Sequence, residues 1–334
     1  MLAFRVHKGK LQAESQPVPR IRPGWALLRV RLAGICNTDV EILRGYHSFL
    51  GTLGHEFVGE VVDAAGVSSA VRKRWIAQRV TGDINISCRA HGYKSLCEFC
   101  RRGLTTHCAR RSVLGIVAQD GAFAEFLTLP LENLHVIPKS ISNEQAVFVE
   151  PLAAACQILQ QVRVASFQQA AVLGDGKLAQ LTARVLRTEV RDVVMFGKHR
   201  QKLTMARRAG IQTVTVRGDA SDAQRVTAKF ELLVEATGSP SGFALAQYMT
   251  KPRGTLVLKS TFHGAAPVEP WPIVVKEITV LGSRCGPFDR AIAMLKDGEV
   301  DPTPLITRVF PLAAAKEAMD YAQKSGVMKV LLKP

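Results

Sequence analysis

Two short stretches carry the side chains most able to do chemistry. The first holds Cys36, Thr38 and Asp39; the second is Gly54-His55-Glu56, and apolar, strand-like runs flank both. A thiolate, an imidazole and a carboxylate are the groups that bind Zn²⁺, and a catalytic zinc commonly takes three protein ligands and keeps one position open. A free cysteine alone reads as core packing. Asp39 and Glu56 argue against that reading, because an unpaired buried carboxylate is costly and these two flank the Cys and the His. The stretch is therefore read as a metal centre.

A second cluster lies further along. Of seven cysteines, Cys88, Cys97, Cys100 and Cys108 fall within 21 residues, the last three spaced C-x₂-C-x₇-C. Four thiolates make a closed tetrahedral shell, the mark of a structural zinc, and a loop rich in Arg, Gly and Thr offers little apolar surface to bury them otherwise. A compact lobe would place its first ligand roughly three residues before Cys97, where Lys94 stands. Either Cys88 reaches in across a bulged loop or His91 substitutes for it; Cys88 is preferred, because extra loop length costs little closure entropy. His107 reads as a surface residue. The odd cysteine count argues against a disulfide framework.

These sites need elements to position them. A chain of 334 residues, 47% hydrophobic, exceeds the size of a single core, so two domains are expected. Residues 3–7, 26–33, 75–80 and 123–129 carry strand-like enrichment, and Val58, Val61 and Val62 lead a strand out of the His55-Glu56 turn. The first part is thus β-rich. From residue 170 the pattern changes: an apolar run ends in Gly174-Asp175-Gly176-Lys177-Leu178-Ala179, and Leu178, Leu181, Val185 and Leu186 follow at helical spacing. The glycines form a tight strand-to-helix turn that lets backbone approach a pyrophosphate, with the helix N-terminus facing the anion. Strands at 193–196, 213–216, 231–236 (followed by Thr237), 254–258 and 278–281, alternating with helices such as 200–208, imply an α/β architecture with a parallel, nucleotide-binding sheet. The second strand of such a sheet ends in an acid when NAD is bound, because the carboxylate holds the ribose hydroxyls. Here it ends Phe196-Gly197-Lys198-His199-Arg200; Lys198 and Arg200 would attract a 2′-phosphate, so NADP(H) is expected over NAD(H). A helix over 290–295 and a strand over 329–332 close the chain.

Lys and Arg outnumber Asp and Glu by 44 to 28, a formal charge of +16, but in clusters such as Arg72-Lys73-Arg74 and Arg207-Arg208 rather than one basic tail. Such clusters are solvated faces, and specific nucleic-acid binding is not expected. No apolar run approaches the ~20 residues that cross a bilayer, and the first residues read as a strand, not a signal segment. A soluble, cytoplasmic protein is expected.

Taken together these residues resemble the zinc-dependent medium-chain alcohol/polyol dehydrogenases, over nearly the whole chain. The resemblance rests on Cys36, Thr38 and Asp39, on Gly54-His55-Glu56 with Gly59, on the cysteine lobe, on Glu150-Pro151-Leu152 and on the Gly174/Gly176 turn. It is nearer the polyol, threonine and glucose dehydrogenase branches than the ethanol-oxidising branch. It implies a GroES-like catalytic domain with a zinc lobe (1–145), a doubly wound Rossmann domain (146–286) and a return segment of the catalytic domain (287–334). It implies a catalytic zinc held by Cys36 and His55 with Glu56 beside it, and Glu150 in the place of the remaining ligand. Asp39 would orient His55, and Thr38 would bond the substrate hydroxyl and start a proton relay. Gly174, Gly176, Lys177, Leu178, Lys198, Arg200, Thr237 and Lys329 would serve the cofactor, Lys329 at its phosphates. Tyr46, His47 and Phe49 are candidates for the substrate pocket, and Ser283 and Arg284 for the nicotinamide end. Many relatives end the relay in a His five residues after the ligand Cys; here Glu41 stands there. The partners implied are a small alcohol or carbonyl and further copies of the chain, as a homodimer or homotetramer. A rival reading is a zinc- and nucleotide-binding sensor or nucleic-acid binder without catalysis. A third is a zinc-independent reductase of the same fold.

Overall fold

β-Branched and leucine-rich runs broken by glycine and proline turns build the first half of the chain into sheets. The computed structural model describes residues 1–45, 48–217, 222, 229–261, 265 and 268–334. Its organising strand is Trp25–Gly34 (β3), which follows the hairpin Leu2–His7 (β1) and Lys10–Ser15 (β2). β3 pairs antiparallel with Glu56–Ala64 (β4), and Gly34 stands opposite Glu56. Its other partners are Phe126–Pro130 and Lys329–Lys333, the last strand of the chain. The seven-stranded sheet runs on through Arg79–Gly82 to Leu134–Val136 on one side and to Ile306–Pro311 on the other. Leu28, Phe57, Leu127, Leu129 and Leu331 are fully buried and form part of its core.

One expected strand begins later than the sequence suggests. Residues 69–75 form a helix, not the start of a strand at Trp75. Ser68 caps that helix by accepting from Val71 N, and Arg72 pairs with Asp63 at 2.7 Å, so its basic last turn suits the helix dipole. Ala77 then takes a left-handed φ of 63°, and extended pairing begins only at Arg79.

In the second unit five parallel pairings join six strands: Gln169–Leu173, Asp192–Gly197, Gln212–Thr215, Phe230–Glu235, Thr250–Leu258 and Thr279–Gly282. Numbered within this sheet, their order is 3-2-1-4-5-6. This is the doubly wound order whose switch point, beside the first strand, binds dinucleotides. Helices Lys177–Arg187 and Arg200–Arg208 follow the first two strands. Ala170, Val172, Leu186, Met195 and Val234 pack one core cluster, and Leu173, Phe196, Leu233 and Leu256 another. The compact units divide after Glu150 and after Arg290, where the sequence reading sets the boundaries at 145/146 and 286/287. Among the described residues, no helix is long and apolar enough to cross a membrane.

Candidate active site and cysteine lobe

β3 ends at Gly34 and the short helix Asn37–Leu43 begins just after Cys36. Asp39, fully buried, turns its carboxylate back: Oδ2 accepts from Cys36 N at 2.8 Å and Oδ1 from Gly54 N at 3.3 Å. One side chain thus ties the Cys36 segment to the Gly54-His55-Glu56 segment, which accounts for its burial. Asp39 Oδ1 also lies 3.3 Å from His55 Nδ1. The distance is that of an ion pair, and Nδ1 has no hydrogen-bond partner among the described residues.

The ligand atoms of Cys36, His55 and Glu56 lie within 4.8 Å of one another. A half-buried thiol, a buried imidazole and a buried carboxylate facing each other fit a zinc ion. Burial pushes the His55 pKa down, but Asp39 and Cys36 together carry it well above 6.5. Thr38 Oγ1 sits 3.7 Å from Cys36 Sγ. Glu150 stands in the first turn of the helix Val149–Gln161 and is outside the three-residue cluster, yet it feels its charges. It keeps some accessible surface but is densely enclosed. Burial pushes its carboxyl up to about 7, His55 and Lys329 opposing that rise and Glu56 and Asp83 reinforcing it.

Lys329 has a partner that sequence reasoning missed. Expected at the cofactor phosphates, its ammonium is buried and bonded to Glu56 Oε2, each side chain only 1% exposed. The register explains the contact. Glu56 is opposite Gly34, Gly34 is opposite Leu331, and the bridge passes over the glycine. A Cβ at residue 34 would fall 2.4 Å from Glu56 Oε2 and 3.5 Å from Lys329 Cδ. Nζ also lies 5.6 Å from the centre of the Phe148 ring, a cation–π distance. Burial lowers the Lys329 pKa, but Glu56, with Cys36 and Glu150, raises it above its ordinary value.

The sulfurs of Cys88, Cys97, Cys100 and Cys108 likewise meet within 4.8 Å. Backbone N–H groups point at them: Cys88 N at Cys108 Sγ (3.2 Å), Cys97 N at Cys88 Sγ (3.4 Å) and Arg110 N at Cys108 Sγ (3.4 Å). The Cys100 amide, against burial, helps draw the Cys97 thiol down to about 6. Burial, and then the neighbouring thiols, push Cys100 up to about 12. Sulfurs this close would repel one another as thiolates, and a divalent cation at the site would neutralise that charge. His91 is turned elsewhere. It bonds Ser112 Oγ at 2.9 Å and stacks on Tyr93 at 5.3 Å, with Trp25 5.9 Å away on another side. His107 tilts against Phe99.

In the other unit Gly174, φ +126°, makes the turn after the first strand, and a Cβ there would strike Ala236 O at 2.5 Å. Above Gly176, its own chain neighbours aside, no atom of the described residues lies within 4 Å of a built Cβ. This open cradle at the start of Lys177–Arg187 fits a pyrophosphate. Leu178 is half-buried on that helix, and Lys198 and Arg200 are exposed beyond the second strand. Thr237 bonds the buried Glu235 carboxylate through both its N–H and its hydroxyl. Lys259 was missed as well. It is a buried ammonium satisfied by Ala154 O, Ser283 Oγ and Arg284 O, and so it fixes the segment expected at the nicotinamide end.

Residues 22–139 match the alcohol dehydrogenase GroES-like domain, and residues 176–297 match the zinc-binding dehydrogenase domain. D-altritol 5-dehydrogenase of Agrobacterium fabrum is 31% identical over 325 residues, 92% of this chain and 91% of that protein. This chain belongs to the zinc-dependent medium-chain alcohol/polyol dehydrogenases. A zinc-binding dehydrogenase structure from Sinorhizobium meliloti bound to NADP superposes with a TM-score of 0.88 at 27% identity. An Escherichia coli alcohol dehydrogenase complexed with NADH gives 0.89 at 26%; each covers 100% of this chain and 99% of the other. The dehydrogenase is a zinc-dependent oxidoreductase using a nicotinamide cofactor, and the rival sensor reading is not favoured. Within this dehydrogenase Glu41 pairs with Arg44 at 2.9 Å, so the position of the relay His holds a carboxylate–guanidinium pair. Phe49 is buried at 6% exposure. Tyr46 and His47 lie outside the described residues.

Proposed function

We propose that the dehydrogenase interconverts a secondary alcohol or polyol and its carbonyl, with Cys36, His55 and Glu150 holding the catalytic zinc and NADP(H) preferred to NAD(H). The observation that carries this reading is the convergence of Cys36 and His55 beside a Glu56 already neutralised by Lys329. With Glu56 paired, one thiolate and the Glu150 carboxylate suffice to balance a divalent cation. Bound there, zinc would supply the Lewis acidity that makes an alcohol acidic near neutral pH, and the nicotinamide would accept the hydride.

The protein's own groups do the rest. Asp39 fixes His55 and the Cys36 amide. The Thr38 hydroxyl hydrogen-bonds the substrate hydroxyl as the first member of a proton relay, and its closeness to Cys36 supports that role. Glu56 stays tied to Lys329, which preserves charge balance at the centre. The four-cysteine lobe holds a second, structural zinc, with Cys88 rather than His91 completing it. Lys198 and Arg200, exposed beyond a second strand that ends in glycine, support the NADP(H) preference.

The chain is further proposed to work as a homodimer or homotetramer. The exposed Trp271, Val274 and Val275, 55, 70 and 72% accessible, support assembly. Seven free cysteines suit the reducing cytoplasm. The test is zinc content per chain, with a screen of polyols, amino alcohols and simple alcohols against NAD⁺ and NADP⁺. Cys36→Ser should remove one zinc and all turnover. Full activity in that variant overturns the assignment.

A further inference from the structure

The second strand of the nucleotide sheet ends at Gly197 without an acid, but the space that residue's side chain would occupy is filled. A Cβ built on Gly197 would lie 2.6 Å from Asp175 Cβ and 2.7 Å from Asp175 Oδ2. Asp175 is the middle residue of the Gly174-Asp175-Gly176 turn, and that turn is tied to the end of the second strand by Gly174 N donating to Phe196 O at 2.8 Å. Its carboxylate is therefore carried sideways from one strand end to the next. Oδ2 accepts from the His199 backbone N at 2.7 Å, and both oxygens lie 3.0–3.1 Å from His199 Nδ1. Asp175 is 7% exposed, while Lys198, His199 and Arg200 beside it are open to solvent.

A carboxylate at the end of the second strand of such a sheet accepts from the ribose hydroxyls. It also repels a phosphate at the 2′ position. A carboxylate delivered to the same place from the glycine turn meets the same ribose. It has lone pairs to spare beyond those taken by His199. We propose that Asp175 is a specificity-determining residue for the cofactor: it supplies from the glycine turn the carboxylate that the second strand lacks, and it restrains the attraction of Lys198 and Arg200 for a 2′-phosphate. The site then accepts NAD(H) as well as NADP(H). This rests on the reading that the dinucleotide lies on the Gly174–Gly176 turn.

The test needs neither zinc nor turnover. Calorimetry on the full chain measures the affinities of 5′-AMP and adenosine 2′,5′-bisphosphate, for the wild type and Asp175→Asn, with thermal melting to certify folding. The ratio of the two dissociation constants should shift toward the bisphosphate by about tenfold in Asp175→Asn, the scale of one screened charge contact, ~1.4 kcal/mol. A ratio unchanged within about twofold, both ligands weakening together, would mean that Asp175 only braces the turn, and a shift toward 5′-AMP would mean that it acts by presenting His199; each overturns the proposal. Should Asp175→Asn fold poorly, His199→Asn strips the imidazole from an intact carboxylate, and the ratio should move the other way; no movement there also overturns it. A wild type that prefers 5′-AMP removes the NADP(H) preference proposed above and leaves the Asp175 shift readable. A wild type that binds neither nucleotide overturns the dinucleotide reading and this one with it.

Discussion

Replacing Lys329 by Met tests the charge balance of the centre most directly. Lys329 and Glu56 are both 1% exposed, and no water-accessible surface remains to receive a stranded carboxylate. Gly34 leaves no slack either, since even a Cβ there would meet Glu56 Oε2. Removing one partner of a buried pair typically costs about 3–5 kcal/mol, because the other charge is left uncompensated. The cation–π contact with Phe148 goes as well, which adds roughly 1 kcal/mol. Lys329→Met should therefore destabilise the first unit by about 3–6 kcal/mol. Glu56→Gln alone strands the ammonium instead. The double variant, with neither charge, should be less destabilised than the sum of the singles by at least ~2 kcal/mol.

The assay is urea unfolding of zinc-loaded protein in a Trp271→Phe background, so that fluorescence from Trp25 and Trp75 reports the first unit alone. A Lys329→Met loss below about 1 kcal/mol, or strict additivity in the cycle, refutes the claim that the two buried charges compensate each other.

Proton release gives a second test. Metal-free His55 has its pKa held well above 6.5, so its protonation stabilises the metal-free fold below 6.5 and that contribution is lost as pH rises through the raised value. Zinc takes only neutral imidazole. Zinc uptake should therefore expel protons and tighten with rising pH, read by calorimetry in buffers of different ionisation enthalpy; uptake without proton release contradicts the arrangement. Asp39→Asn should weaken zinc at the catalytic centre by about 10–100-fold, measured by competition with a chelator, and leave the cysteine lobe loaded. Cys100→Ser should remove one zinc per chain by elemental analysis, whereas His91→Phe should remove none, because His91 bonds Ser112 and stacks on Tyr93. Loss of zinc in His91→Phe would return that histidine to the ligand set.

Much of the architecture was legible because it is written in local patterns. The glycine turn, the helix after it and the alternating strands of the second unit follow from spacing alone, and the sheet is parallel as that alternation implies, while its doubly wound order accords with the family resemblance. The region around Trp75 was misread because its apolar residues suggest a strand, while the decisive signals were a serine cap at 68 and an ion pair from Arg72 to Asp63. Ser68 was visible as a possible cap. The ion pair depends on the neighbouring strand and was not. The hairpin partner Lys10–Ser15 was passed over for a similar reason: five of its six residues keep some accessible surface, so hydrophobic alternation is weak.

At the site, side chains that bear chemistry were legible and the groups that neutralise them were not. Cys36, Asp39, His55 and Glu56 announce themselves by type and proximity. Read alone, they carry a surplus of negative charge once Glu150 is added. The structure supplies the cation that balances it, from a residue 273 positions away. A signal for it was nonetheless present. Lys329 stands in the run Met328-Lys329-Val330-Leu331-Leu332, whose apolar residues are all buried. No alternation exposes one face of such a strand, so a lysine within it has no solvent side to turn to. A buried ammonium must find a carboxylate, and the sequence already held one in want of a partner, next to His55. Where a charge interrupts a strand buried on both faces, its counter-charge belongs among the acids that the rest of the chain has left unexplained.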